Sequence, residues 1–175
     1  MIQIHDKNFV PFITADDIQS VIKRMAAEVE ADMGSDAPVF VGVLNRSFMV
    51  VSDFVKQYAK PCEVSFVKMA SYEGTATTHN VKQLIGLGQS VKGRRVVVIE
   101  DIVDTGNTIE ELKGLFEKEG VQELKIATLF FKPEAYKKNI KLDYIGMEIP
   151  DKFIVGFGLD YNGLGRNLPE IYQLK

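Results

Sequence analysis

Residues 96–109 read Val-Val-Val-Ile-Glu-Asp-Ile-Val-Asp-Thr-Gly-Asn-Thr-Ile. Four consecutive β-branched apolar residues lead into Glu100, Asp101 and Asp104. Such a run suits a strand buried on both faces. Burying an unpaired charge is costly, so the carboxylates must sit where they meet water, a cation, hydroxyls or a positive partner. The strand's end provides that place, because the chain can turn there and aim neighbouring side chains at one ligand. Thr105, Gly106, Asn107 and Thr108 follow and open a helix-like segment. Gly106 permits tight backbone geometry, and the first helical N–H groups have no partner within the helix. Together with the helix dipole and two threonine hydroxyls they form a cradle suited to a monophosphate. The same residues would also serve an ordinary capped turn between strand and helix.

The rest of the chain alternates in a way that fits this unit. Ile18, Val21, Ile22, Met25, Ala26 and Val29 recur at helical spacing, and Thr14 with Asp17 resembles a helix-start cap, predicting a helix over 16–32. Short apolar strands are expected at 38–44 and 63–69, separated by a buried helix over 48–58 with Phe48, Val51, Val55 and Tyr58 on one side. Residues 71–80 are small and polar without a period and read as a mobile surface loop. A strand at 81–88, the strand 95–102, a helix closed by Gly120 and a strand at 123–131 come next. Short strands at 144–149 and 153–158 flank Pro150 and Asp151, and the tail from 160 reads as turn-rich. The expected fold is an α/β domain around a mainly parallel sheet, whose ligands bind at the carboxyl ends of the strands.

Composition narrows the function classes. At 175 residues the chain is long enough for one domain with a substantial core. Its net charge of −3 holds no basic excess, so no nucleic-acid partner is expected and any polyanion affinity must be local. Nothing approaches the ~18 consecutive apolar residues of a membrane helix, so no membrane partner is expected either. The single Cys62 cannot form an intrachain disulfide and reads as a buried structural thiol. A cytoplasmic location is expected. The Gly-rich Walker pattern is absent, and so is a Gly-x-Gly-x-x-Gly after the first strand, which disfavours P-loop triphosphatases and dinucleotide-binding oxidoreductases.

The segment from Val98 to Thr108 resembles the phosphoribosyl pyrophosphate motif of type I phosphoribosyltransferases, and more narrowly the chain is similar to hypoxanthine-guanine phosphoribosyltransferases. Leu44, Asn45, Arg46, Ser47 and Phe48 resemble the family's pyrophosphate-contacting loop. Ser71 and Tyr72 resemble the start of its mobile catalytic loop, and Phe131, Lys132 and Pro133 its base-reading lysine segment. Residues 149–161 resemble its purine pocket, with Arg166 at the spacing of a terminal pyrophosphate arginine. The resemblance covers almost all of the chain. It implies a type I phosphoribosyltransferase fold in one domain, 1–175, with a mainly parallel central sheet flanked by helices. A small hood formed by N-terminal residues and about 145–175, and a mobile catalytic loop, complete it.

The resemblance implies transfer of a 5-phosphoribosyl group from phosphoribosyl pyrophosphate to a 6-oxopurine base, with Mg²⁺. Glu100 and Asp101 would hold the ribose hydroxyls and, with Asp160, the metal. Asp104 would face purine N7 and take its proton. Thr105, Gly106, Asn107 and Thr108 would bind the 5′-phosphate. Lys132 would donate to the purine 6-oxygen, which disfavours a 6-amino base. Phe153 would stack on the purine, Ile154 would read it through its backbone, and Asp160 would serve the base or metal site. Asn45, Arg46 and Arg166 would contact pyrophosphate, and Ser71 and Tyr72 would close over it. Family members usually form homodimers or homotetramers.

One departure stands out. The family usually has glycine at the position of Arg46 and often lysine at that of Asn45. Arg46 is expected to supply the positive charge that the Asn45 position lacks. Two rivals share the fold: a transferase preferring xanthine, and a regulator that binds phosphoribosyl pyrophosphate without catalysis. The second fits poorly, because the purine segment is present and no basic stretch is.

Overall fold

The structure, a computed structural model, describes residues 1–69 and 83–175. The elements follow in the order β1 (Ile2–Ile4), β2 (Lys7–Ile13), α1 (Ala15–Met33), β3 (Val39–Val43), α2 (Phe48–Gln57), β4 (Glu63–Met69) and β5 (Gln83–Ile85). Then come β6 (Arg95–Val103), α3 (Asn107–Glu119), β7 (Glu123–Phe131), β8 (Tyr144–Glu148), β9 (Ile154–Val155) and β10 (Ile171–Leu174). The main sheet has the order β5-β4-β3-β6-β7-β8. Five of its strands pair in parallel, and β5 joins β4 antiparallel at the edge. Among the described residues no helix is long and apolar enough to cross a membrane.

Helices α1 and α2 cover one face and α3 the other. Thr14 caps α1, its hydroxyl accepting from the Asp17 backbone N–H at 3.2 Å. The helix buries Ile18, Ile22, Met25, Ala26 and Val29 as its spacing predicts. Its layer also holds Phe40, Val97, Ile99 and Leu129. The opposite layer packs Ile109, Leu112 and Phe116 of α3 on Val39, Val41, Val96 and Val98. In α2 the buried residues are Val50, Val51 and Phe54, while Phe48 is exposed. Of the expected side, Val51 and Tyr58 are buried and Val55 packs against the core, while Phe48 departs from it; Val50 and Phe54 are buried as well, because apolar residues surround this helix. Cys62 is only partly buried at the rim of the α1/α2 layer, and burial raises its thiol pKa.

Strand β6 carries the acidic pair in a particular way. Val96 and Val98 join the α3 layer, and Val97 and Ile99 the α1/α2 layer, as a period of two requires. Beyond Glu100 and Asp101 the phase is inverted: Ile102 packs with the α1/α2 layer and Val103 with the α3 layer. The pleat slips where the two carboxylates stand.

A second sheet, of order β1-β2-β10-β9, is antiparallel throughout. It joins the first residues of the chain to the last, pairing Ile13 with Ile171 and Phe9 with Leu174. Ile4, Phe9 and Val155 form its buried core. Neither β1, β2 nor β10 was expected from the sequence. The strand expected at 153–158 shortens to Ile154–Val155; of the one expected at 81–88, Gln83–Ile85 is strand and 86–88 is not, residues 81 and 82 lying outside the described residues. Ser71 and Tyr72 lie outside the described residues.

Candidate active site

The carboxyl ends of β3, β6 and β7 and the entry to β9 meet around a cavity of about 280 Å³. Each wall comes from a different segment. The turn after β6 contributes Asp104, Thr105, Gly106, Asn107 and Thr108, and the strand itself contributes Glu100. Lys132 enters from the end of β7, Arg46 from the loop after β3, and Phe153, Ile154 and Asp160 from the second sheet and its connection. Ile102, Val103, Ile109 and Leu159 add apolar lining that the sequence reading did not single out.

The turn expected to hold a phosphate has the tight glycine geometry its sequence suggests. Gly106 sits at φ 87, a left-handed conformation that favours glycine, and a Cβ there would strike the Tyr136 ring and the Lys138 side chain. No side chain caps α3, so neither threonine satisfies its N-terminal N–H groups in the manner of a capped turn. Those groups remain available to an anion at the cavity.

The acidic pair is deeply buried, Glu100 at 4% exposure and Asp101 at 0%. Burial lifts Glu100 well above the usual carboxylate range; the neighbouring Asp101 adds to this and Arg46 opposes it. Burial raises Asp101 too, against Arg46, backbone N–H groups and Arg166. Among the described residues neither carboxylate oxygen of Asp101 has a hydrogen-bond partner. Its nearest cation is Arg46, whose Nε stands 3.7 Å from Asp101 Oδ2. A buried acceptor pair of this kind is suited to hydroxyl donors or a hard cation. Among the described residues, however, Glu100, Asp101 and Asp160 do not converge into one ready-made metal-ligand cluster.

Asp160 is occupied otherwise. Its carboxylate pairs with Arg166 at 2.8 Å and accepts the Gly163 backbone N–H at 2.7 Å. Arg166 also donates to the Gly158 carbonyl at 2.7 Å. Gly158, at φ 97, packs directly on the carbonyl of Arg46. Arg46 and Arg166 are thus tied to opposite sides of one glycine, although Arg166 itself does not line the cavity. Asn45 does not line it either and follows Leu44 through a cis peptide bond.

On the opposite wall Lys132 is buried at 7% exposure. Its ammonium donates to Asp151 Oδ1 at 3.0 Å and to Asp104 Oδ2 at 3.5 Å. The sequence reading gave Asp151 no role; its contact depends on the fold returning from β8 to the end of β7. Phe153 lines the cavity at 46% exposure, edge-on to Tyr161 at 5.8 Å and beside Phe9 at 6.2 Å. An exposed ring held by two aromatics is a platform rather than a core residue.

Residues 14–162 match the phosphoribosyl transferase domain. The hypoxanthine-guanine phosphoribosyltransferase of Staphylococcus aureus is 39% identical over 164 residues, 93% of this chain and 92% of the relative. That of Staphylococcus epidermidis is 40% identical over the same shares. A solved hypoxanthine phosphoribosyltransferase from Staphylococcus aureus superposes with a TM-score of 0.89 at 38% identity, covering 95% of this chain and 91% of the other. A solved hypoxanthine-guanine phosphoribosyltransferase from Bacillus anthracis gives 0.90 at 33% identity, covering 97% of this chain and 98% of the other. The architecture is the type I phosphoribosyltransferase fold. Five parallel strands, a cavity at their carboxyl ends and kinship along nearly the whole chain lead to one conclusion: the chain belongs to the phosphoribosyl transferase family, in its hypoxanthine-guanine phosphoribosyltransferase branch.

Proposed function

We propose that this chain salvages purines, transferring the 5-phosphoribosyl group of phosphoribosyl pyrophosphate to hypoxanthine and guanine and releasing pyrophosphate. One observation carries the reading. A single cavity is lined both by the acidic strand end with its anion cradle and by Lys132, Phe153 and Ile154, which suit a purine. The small antiparallel sheet is the hood of a one-domain enzyme, set over the cavity through Phe153 and Ile154.

In this mechanism the α3 N-terminus with Thr105 and Thr108 holds the 5′-phosphate, and Glu100 and Asp101 hold the ribose hydroxyls. Phe153 stacks on the base, Ile154 reads it through its backbone, and Lys132 donates to its 6-oxygen. The anomeric carbon–oxygen bond breaks and pyrophosphate departs with the electron pair. The purine nitrogen bonds to that carbon, and the proton of the base passes to Asp104 at N7. Arg46 and Arg166, with Asn45, receive the negative charge growing on pyrophosphate. Preorganised charge of this kind supplies most of the rate gain in such transfers. Glu100, Asp101 and Asp160 would hold Mg²⁺ together with substrate oxygens, a role suited to the partnerless oxygens of Asp101. When bound, the ion neutralises charge on the leaving group. Ser71 and Tyr72 would close over the site and exclude water. The enzyme works in the cytoplasm as a homodimer or homotetramer.

The test is a turnover panel with hypoxanthine, guanine, xanthine and adenine, each with phosphoribosyl pyrophosphate and Mg²⁺, reading pyrophosphate release. Release with hypoxanthine and guanine, and none with adenine, is expected. Release with xanthine alone would point to the xanthine-preferring rival, and no release with any base to a non-catalytic binder.

A further inference from the structure

Lys132 is held harder than a base-reading lysine needs to be held by its base alone. Its backbone is pinned from three directions: its N–H donates to Val103 at 3.0 Å, and its carbonyl accepts from Ala135 and Tyr136 at 3.2 Å each. The side chain then runs inward to an ammonium that is almost fully buried. A buried ammonium without partners would be costly. It has three N–H donors and no acceptor. Asp151 takes one at 3.0 Å, and Asp104 lies along another at 3.5 Å. With two donors directed, the third has no rotational freedom left.

Asp151 differs from Asp104 in one respect. Asp104 lines the cavity; Asp151 does not, and reaches Lys132 from behind while its own side chain is 55% exposed. It stands in the turn between β8 and β9, where Ile149 donates to the Phe131 carbonyl at 2.8 Å and Lys152 to the Pro150 carbonyl at 2.7 Å. The first bond ties the turn to Phe131 at the end of β7, next to Lys132, and the second closes the turn on itself.

We infer that Asp151 is a positioning residue for base recognition: it shares the Lys132 ammonium with Asp104, so that Asp104 does not hold it alone, and leaves the remaining N–H for the 6-oxygen of the purine. The inference rests on the proposed base-binding role of Lys132 and deepens it. Without Asp151 the only carboxylate beside Lys132 among the described residues is Asp104. The ammonium, already 3.5 Å from Asp104, would then be held by Asp104 alone, which tightens that ion pair and turns the donor away from the purine.

The experiment compares Asp151→Asn, Asp151→Ala and Asp151→Glu in the full chain, measuring kcat and separate KM values for hypoxanthine and phosphoribosyl pyrophosphate. The Asn and Ala variants are expected to raise KM for hypoxanthine by roughly 10-fold, the scale of one charge-assisted hydrogen bond. Their kcat falls as well, while KM for phosphoribosyl pyrophosphate stays within about 2-fold, since the contacts of that half are untouched. Asp151→Glu restores most of the loss. A merely structural turn residue would move both KM values together and would not be rescued by Glu; that result, or unchanged kinetics in the Asn and Ala variants, overturns the assignment. If the unaltered protein turned over no base at all, the proposed transferase activity would fall first. Normal parent turnover beside unaltered variants overturns Asp151 alone.

Discussion

Nε of Arg46 lies 3.7 Å from Oδ2 of Asp101, a half-exposed guanidinium set against a carboxylate that water does not reach. The resemblance places glycine at this position in the family, and a glycine could not form this pairing. Arg46 faces both halves of the electrostatic problem. It offsets the buried acidic pair when the site is free, and in the proposed mechanism it would also meet the pyrophosphate anion. Arg46→Gly is expected to weaken binding of phosphoribosyl pyrophosphate by roughly 10-fold, as for loss of one charge-assisted contact. Calorimetric titration measures it, and unchanged or tighter binding would remove Arg46 from this role.

Glu100 makes the free protein depend on pH in a definite direction. Burial and Asp101 raise its folded-state pKa well above the ordinary 4.5. The folded protein therefore keeps a proton that the unfolded chain has released. That cost is absent below the unfolded value, grows as pH rises and is complete above the folded value. Stability of the free protein should fall with rising pH across that window. Glu100→Gln is expected to reduce the dependence, Asp101 retaining its own share, and to raise the melting midpoint near pH 7 by a few degrees, ~1 kcal/mol being worth about 2–4 °C at this size. Its transferase turnover is lost. A melting point that falls at neutral pH would contradict the account.

Asp104→Asn separates chemistry from binding. The amide keeps the shape and can still accept from Lys132, but it cannot take the purine proton. The turnover number is expected to drop by about 10²–10⁴-fold, the usual worth of a general base. Affinity for either substrate changes little. Equal turnover in mutant and parent would leave Asp104 without the base role.

Gly158→Ala tests the joint between the two arginines. A Cβ at φ 97 is strained, and it would overlap the Arg46 carbonyl oxygen. The expected loss is about 1–3 kcal/mol of stability, read from the urea midpoint. Weaker pyrophosphate binding should accompany it, because the Arg46 loop and the Arg166 contact share this glycine. Full stability in the variant would show that the loop yields without cost.

Much of the frame was legible because its signals are local. The strand at 63–69 and the strand at 123–131 have the expected bounds, and the periodicity of α1 picked out its buried face. The second sheet was not legible. Its strands hold two to seven residues, and their partners lie at the other end of the chain, as Phe9 and Leu174 do. Short segments of that kind owe their shape to pairing rather than to propensity.

The sequence by itself determined that a buried strand ends in carboxylates beside an anion cradle, since apolar runs, charge and a glycine turn obey rules within a few residues. It also carried the family resemblance, Lys132 and Phe153 included. Only the tertiary structure decided which charges face one another. The inverted pleat at Glu100 and Asp101, the approach of Arg46 to Asp101 and the reach of Asp151 to Lys132 all depend on segments far apart in the chain. Coulomb and desolvation energies are set by distance and burial, and these exist only once the chain has closed.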